Sequence, residues 1–127
     1  MIALSYIYTN PNPDEKAVGD CVVRAVSIIF GEDWEKVYMD LAVHGLIMHD
    51  MPSSNAVWGD YLRSRGYTRE MIPDGYTVRD FCRDNICGRC ILATGTHVIA
   101  VIDGNYLDAW DSGSEIPIFF WRKDSHI

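Results

Sequence analysis

Residues 97–112 read HVIAVIDGNYLDAWDS and predict a β-hairpin. Two runs rich in Val, Ile and aromatic residues flank the turn-forming triplet Asp103-Gly104-Asn105, a pattern typical of adjacent antiparallel strands. With the triplet as a three-residue loop, the strand pairing places His97 opposite Asp111. Directly opposed residues hold their Cβ atoms about 5 Å apart on one face of the sheet. The hairpin therefore predicts an imidazole hydrogen-bonded to the Asp111 carboxylate.

This assignment depends on the length of the loop. In the same register Asp108 faces Ala100, which is too far along the strand for a contact with His97. A two-residue Gly-Asn turn would instead shift the pairing and turn Asp111 to the other face, because side chains alternate along a strand. The three-residue loop is the register that we adopt, and Asp111 is the partner it predicts.

The remaining segments predict helices followed by an antiparallel sheet, the order of an α+β domain. Helices are expected from Cys21, from Trp34 to about Gly45, after a cap at Ser53 or Ser54, and from Thr77. Short apolar runs predict the strands. They are CILAT, HVIAVID, NYLDAW and IPIFFW in the second half of the chain, with a further apolar segment, ALSYIY, near the start.

The stretch GDCVVRAVSIIF, residues 19–30, places Cys21 at the start of its helix. The partial positive charge at a helix N-terminus lowers the pKa of a thiol there and favours the nucleophilic thiolate. A cysteine in this position can also be a buried core residue or a metal ligand. A nucleophile needs a base and a group that orients it, and His97 with Asp111 supplies both in the predicted hairpin. We therefore expect the Cys21 sulfur within hydrogen-bonding reach of His97.

Composition excludes several classes of function. The 127 residues carry a net charge of −7, which argues against nucleic acid as a partner, since its phosphates are bound by Lys and Arg. No apolar run is long enough to cross a bilayer, and the first residues lack the basic start of a signal peptide. Four cysteines without a secretory signal indicate reduced thiols. These features predict a single cytoplasmic domain, residues 1–127, with no contact with membranes.

The order of these groups resembles the papain-like cysteine peptidase fold. THVIAVIDGNYLDAWDSG looks like the family's His strand, hairpin and following strand that ends in an Asn/Asp-Ser pair. The resemblance maps the nucleophile onto Cys21, the base onto His97 and the orienting residue onto Asp111, followed by Ser112. An Asp in the third place is closer to the bacteriocin-leader peptidases than to papain. The implied fold packs the nucleophile helix on a C-terminal antiparallel sheet.

The resemblance extends over nearly the whole chain. GDCVVRA, VWGDYLRSRGY, YTVRDFC and WDSGSEIPIFFW look like segments of small papain-like proteins of gut bacteria and their phages. One feature departs from the family, which places a Gln before the Cys to bind the oxyanion. This chain contains no Gln, and Glu15 stands six positions before Cys21. Asn10 and Asn12 are the side-chain amides that remain as candidate oxyanion donors.

The other three cysteines raise the alternative of a metal site. Cys82, Cys87 and Cys90 form C-x4-C-x2-C, whose second half has the spacing of a zinc knuckle. Structural zinc takes four ligands, so His97 or His44 would have to complete the set. Incidental, partly buried thiols explain the pattern with fewer requirements. We therefore expect no metal and no cofactor.

Two classes of function fit these observations. The first is a cysteine hydrolase, of peptidase or amidase type, that forms a thioester acyl-enzyme through Cys21, His97 and Asp111 and acts on a peptide or protein substrate. Acyl transfer is a variant of the same chemistry. The second is a catalytically weak or inactive papain-like interaction module. The sequence does not determine the substrate or the oligomeric state.

Overall fold

The structure, a computed structural model, describes residues 6–123 and has an α+β architecture with four helices and a six-stranded sheet. The helices are α1 (Cys21–Phe30), α2 (Trp34–Met48), α3 (Asn55–Ser64) and α4 (Val78–Asp84). The strands are β1 (Tyr6–Tyr8), β2 (Tyr67–Met71), β3 (Arg89–Ala93), β4 (Val98–Ile102), β5 (Asn105–Asp108) and β6 (Phe119–Lys123). Within this part of the chain, none of the helices combines the length and apolar content needed to cross a bilayer.

The sheet has the strand order β1-β5-β4-β3-β6-β2. The C-terminal strands β3 to β6 are antiparallel, as predicted, but the sheet as a whole is mixed because the N-terminal β1 runs parallel to β5. The sequence analysis also missed β2, an edge strand whose sequence, YTREM, is too polar to give an apolar signal. β1 falls within the apolar segment near the start of the chain.

Helix starts agree with the sequence signals. α1 begins at Cys21, the Ser54 hydroxyl accepts a hydrogen bond at the start of α3, and Thr77 forms a capping box with Asp80 at the start of α4. These caps are local, since each uses a side chain and a backbone N–H within one turn. These caps can therefore be predicted from a short stretch of sequence.

The predicted end of α2 at Gly45 is wrong. The helix continues to Met48 and ends at His49, which adopts a left-handed conformation with φ of 55°. Gly45 serves a different purpose, because a Cβ added there would lie 2.7 Å from the carbonyl oxygen of Asp50. Glycine at this position allows the chain leaving the helix to pass close to the last turns.

The two faces of the sheet bury two apolar clusters. α1, α2 and α3 cover one face, and α4 covers the other. On β4 the alternation is direct, since Val98 and Ala100 belong to the first cluster and Ile99 and Val101 to the second. Cys21 packs against the first cluster, so α1 lies with its N-terminus at the end of β4 where His97 precedes the strand.

Candidate active site

The Cys21 thiol occupies the first position of α1, as the sequence predicts. The first hydrogen bond of this helix runs from the backbone N–H of Arg24 to the carbonyl of Asp20, at 2.9 Å. The N–H groups before Arg24 therefore have no acceptor within the helix. They carry the positive end of the helix dipole beside the sulfur, where an anion is stabilised.

Cys21 and His97 line the same two clefts, and the thiol and the imidazole are close enough for each to shift the pKa of the other. Burial raises the pKa of Cys21, but the His97 hydrogen bond, the Val98 backbone N–H and the charges of His97 and Arg24 together bring it below its ordinary value. Burial lowers the pKa of His97, but hydrogen bonds to Asp108 and Cys21 raise it to about 9. These opposite shifts favour a thiolate–imidazolium pair.

The carboxylate that holds the His97 ring is Asp108, not Asp111 as the sequence analysis expected. Asp108 Oδ2 lies 2.6 Å from His97 Nε2, and both side chains are at least nine-tenths buried. This bond leaves Nδ1 as the ring nitrogen available to the thiol. Burial raises the pKa of Asp108, but its bonds to His97 and Ser112 outweigh that effect and lower it overall.

The length of the hairpin loop explains the change of partner. The turn contains two residues, Asp103 and Gly104, with φ of 50° and 79°. Two positive φ values are what a tight two-residue hairpin turn requires. Ile102 therefore pairs with Asn105, and every pair further along the hairpin shifts by one residue from the expected register.

In the observed register Ala100 pairs with Leu107, so the alignment continues with Asp108 opposite Ile99. Asp108 is then the diagonal neighbour of His97 on the same face, within reach of long side chains. Trp110 comes directly across from His97, and the two rings stack with centroids 4.7 Å apart. The indole covers the imidazole beside its bond to Asp108.

Asp111 lies outside this chain of hydrogen bonds. Its Oδ1 accepts from the Tyr106 hydroxyl at 2.5 Å, and Arg79 donates to it at 3.2 Å. The hydrogen bond from Tyr106 lowers the pKa of the Asp111 carboxyl, with further contributions from the Gly113 N–H and Arg79. Asp111 therefore fastens the end of the hairpin to α4 at a half-exposed position.

Every contact of the Asp108 carboxylate comes from a donor. Oδ2 accepts from Ser112 Oγ at 2.7 Å as well as from His97, and Oδ1 accepts from the Ala109 N–H at 2.8 Å and from Arg24 Nη2 at 3.4 Å. Ser112 is completely buried. An acid in this place meets four donors without conflict, whereas an amide would turn its own N–H groups toward at least one pair of them.

The two candidate oxyanion donors occupy different places. Asn12 is buried, and its amide donates to Asp20 Oδ2 at 3.1 Å. A buried amide in this position does not contact a substrate. Asn10 lines the cleft beside Cys21, where its side chain contacts the Tyr8 hydroxyl. The backbone N–H of Cys21 remains the donor that the helix itself offers.

Cys21 borders two clefts. One, of about 390 Å³, is walled by the loop of residues 15–19, Trp110 and Thr96. The other, of about 270 Å³, is bounded by the residues before β4 and the start of α3. Cys21 and His97 line both clefts. Sequence analysis did not identify Asn55, which lines the second cleft while its Oδ1 accepts from Trp58 Nε1 at 3.0 Å.

The remaining thiols do not assemble a metal site. Within residues 6–123, no group of three or more His, Cys, Asp or Glu side chains is arranged to hold a metal ion. Burial raises the pKa of Cys82 to about 12 and that of Cys90 to about 11, so both remain thiols at neutral pH. Cys87 is exposed, and His44 lies beside Asp60 instead.

A buried acid–base pair behind the sulfur was also missed. Asp20, immediately before Cys21, accepts a hydrogen bond from Arg24, and both side chains are buried. The i, i+4 spacing of an acid and a base is a sequence signal for such a pair on a helix.

Comparison of the chain with protein families, curated proteins and solved structures found no match.

Proposed function

We propose that the protein is a cysteine hydrolase of papain-like architecture, in which Cys21 is the nucleophile, His97 the base and Asp108 the residue that orients the imidazole. The observation that carries this proposal is the His97 imidazole beside the Cys21 thiol, with its Nε2 held at 2.6 Å by the buried Asp108 carboxylate. The Cys21 thiol lies at a helix N-terminus and borders two clefts. A nucleophile, a base within reach and an orienting acid are the parts that covalent catalysis needs.

The reaction divides into two balanced steps. The Cys21 thiolate attacks the substrate carbonyl, a C–S bond forms, and the oxygen takes up the negative charge near the Cys21 N–H. The intermediate expels an amine, which takes the proton of the His97 imidazolium and leaves a thioester. Neutral His97 then removes a proton from water, the hydroxide adds to the thioester carbonyl, and the thiolate departs as the acid product forms.

The clefts favour a peptide over a small amide as the substrate. A small amide needs room on one side of the sulfur, whereas a peptide extends on both sides of its scissile bond. Cys21 borders both clefts, whose linings include polar side chains, among them Asn10 in one and Asn55 in the other. An extended chain placed across Cys21 would fill both at once, so peptide or isopeptide bonds are the substrate class that we propose.

A catalytically weak binding module is the second candidate, and one observation favours it. The buried Asn12 donates its amide to Asp20 and is not among the residues that line the two clefts beside Cys21. Loss of one oxyanion donor costs about 10²- to 10³-fold in kcat. The same fold with only a backbone donor would bind peptides and turn them over slowly.

Acylation by p-nitrophenyl acetate distinguishes the two candidates. We expect a burst of one nitrophenolate per chain, with the acetyl group located on Cys21 by peptide mass mapping, followed by steady turnover. Cys21→Ala should abolish both phases, and Cys87→Ala, which removes the exposed thiol, should change neither. Incubation with a mixed peptide digest should give new cleavage products that the Cys21→Ala variant does not produce. Acylation confined to Cys87 would contradict the hydrolase.

The pH dependence of Cys21 alkylation by iodoacetamide should show two steps. Because the Cys21 pKa is lowered, the first rise falls below the ordinary thiol range of about 8.5. The thiolate then stays paired with imidazolium until His97 loses its proton near pH 9. Above that pH the unpaired thiolate is more nucleophilic, so a second rise follows. A single rise at or above pH 8.5 would exclude the ion pair.

A further inference from the structure

Arg24 is a buried cation directly behind the site, one turn after Cys21 on α1. Its side chain is 8% exposed and touches two carboxylates that are equally buried. Nη1 donates to Asp20, and Nη2 lies 3.4 Å from Asp108 Oδ1. Asp20 in turn accepts from Asn12 and from Trp34 Nε1 at 3.0 Å, so the bridge is anchored on its far side.

We propose that Arg24 is a positioning residue that ties Asp108, at the end of β5, to Asp20, at the start of α1. This inference rests on the hydrolase proposal. The nucleophile and its orienting acid belong to different elements, and the guanidinium is the group that touches both ends. A planar cation with donors on two arms suits two carboxylates at once. Arg24 therefore fixes the distance between Asp108 and the helix that carries the sulfur.

The bridge also contributes to the electrostatic field at the sulfur. Charges alternate along the buried chain, in the order Asp20, Arg24, Asp108, His97 and Cys21. Arg24 supports the thiolate, because its charge contributes to lowering the pKa of Cys21. Asp20 opposes the thiolate but is neutralised by Arg24. The other charged groups lining this cleft, Glu15 and Lys16, are exposed, so water screens them.

Opposite substitutions in the bridge should therefore shift the alkylation profile of Cys21 in opposite directions. Arg24→Met removes the cation between two buried carboxylates, and we expect the first rise at higher pH, with alkylation at pH values well below that rise slowed about tenfold, the factor for one pKa unit. Asp20→Asn removes one negative charge, and we expect the rise at lower pH. Arg24→Lys, which keeps the charge, should recover most of the wild-type profile.

The double variant Asp20→Asn/Arg24→Met keeps the experiment decisive if Arg24→Met does not fold, because it removes the carboxylate left unpaired. Its profile should fall between those of Asp20→Asn and Arg24→Met or, where Arg24→Met does not fold, at higher pH than that of Asp20→Asn. Arg83→Met, an exposed site on the other face of the sheet, is the control for loss of one positive charge and should leave the profile unchanged.

The outcomes separate this inference from the function on which it rests. If wild-type Cys21 has no reactive thiolate below pH 8.5, the hydrolase proposal fails. If the wild type has one but Arg24→Met and Asp20→Asn shift the rise in the same direction, or by less than about twofold in rate, the positioning role of Arg24 is overturned while the hydrolase stands. Opposite shifts, with recovery in Arg24→Lys, support both.

Discussion

Asp108→Asn should reduce the steady-state turnover of p-nitrophenyl acetate about 10⁴-fold, the scale expected when the orienting acid of a catalytic imidazole becomes an amide. The four donors around the carboxylate give the reason. If the new N–H₂ faces His97 and Ser112, the ring must accept at Nε2 and carry its proton at Nδ1, the wrong tautomer to receive one from the thiol or from water. If it faces Ala109 and Arg24, it meets two further donors.

Asp111→Asn is the matched control, three residues along the same hairpin. The Asp111 side chain is 48% exposed, and its ion pair with Arg79 is at the surface, where such pairs contribute little. We expect turnover within about twofold of the wild type, in line with that small contribution. Nitrophenolate release followed in the burst and steady phases, with circular dichroism to verify folding, decides between the two acids. A large loss in Asp111→Asn with an unchanged Asp108→Asn would reverse the assignment.

The interchange of these two acids shows where sequence reasoning reaches its limit. His97 at the start of a strand and an acid on the next strand are both readable from HVIAVIDGNYLDAWDS. Which acid is the partner depends on whether the loop holds two or three residues, and the triplet Asp103-Gly104-Asn105 is compatible with either. A change of one residue reverses the face of every side chain on the second strand. The turn residues alone do not carry that information.

Features that depend on a short stretch of chain could be predicted from the sequence. The start of α1 at Cys21 and the Thr77 capping box each depend on one turn of chain. In the bridge from Asp20 through Arg24 to Asp108, the contact between Arg24 and Asp108 joins residues 84 positions apart, and no local pattern predicts it. Asn12 illustrates the converse, since its position in sequence suits an oxyanion donor but a buried acid holds its amide.

His97→Ala should slow the alkylation of Cys21 by iodoacetamide at pH 5.5 by at least about tenfold, the factor for one pKa unit. Two influences that lower the thiol pKa, the imidazole hydrogen bond and the imidazolium charge, disappear together, whereas the burial that raises it remains. A thiol with an ordinary pKa of about 8.5 is roughly one part in a thousand thiolate at that pH. The helix dipole, the Val98 N–H and Arg24 remain in the variant and still favour the thiolate, so part of the Cys21 reactivity is retained.

The exposed Cys87 provides an internal reference, because its labelling in the same sample corrects for reagent and protein concentration. His44→Ala is the matched control, since that imidazole lies beside Asp60, on the helices that cover the sheet. It should leave Cys21 labelling unchanged. Added imidazole should restore part of the rate in His97→Ala, because removal of the side chain opens a space beside Trp110 and Asp108 that the added molecule can occupy. Equal labelling of Cys21 with and without His97 would mean that the helix N-terminus alone sustains the thiolate, and the base would have to be sought elsewhere in the cleft.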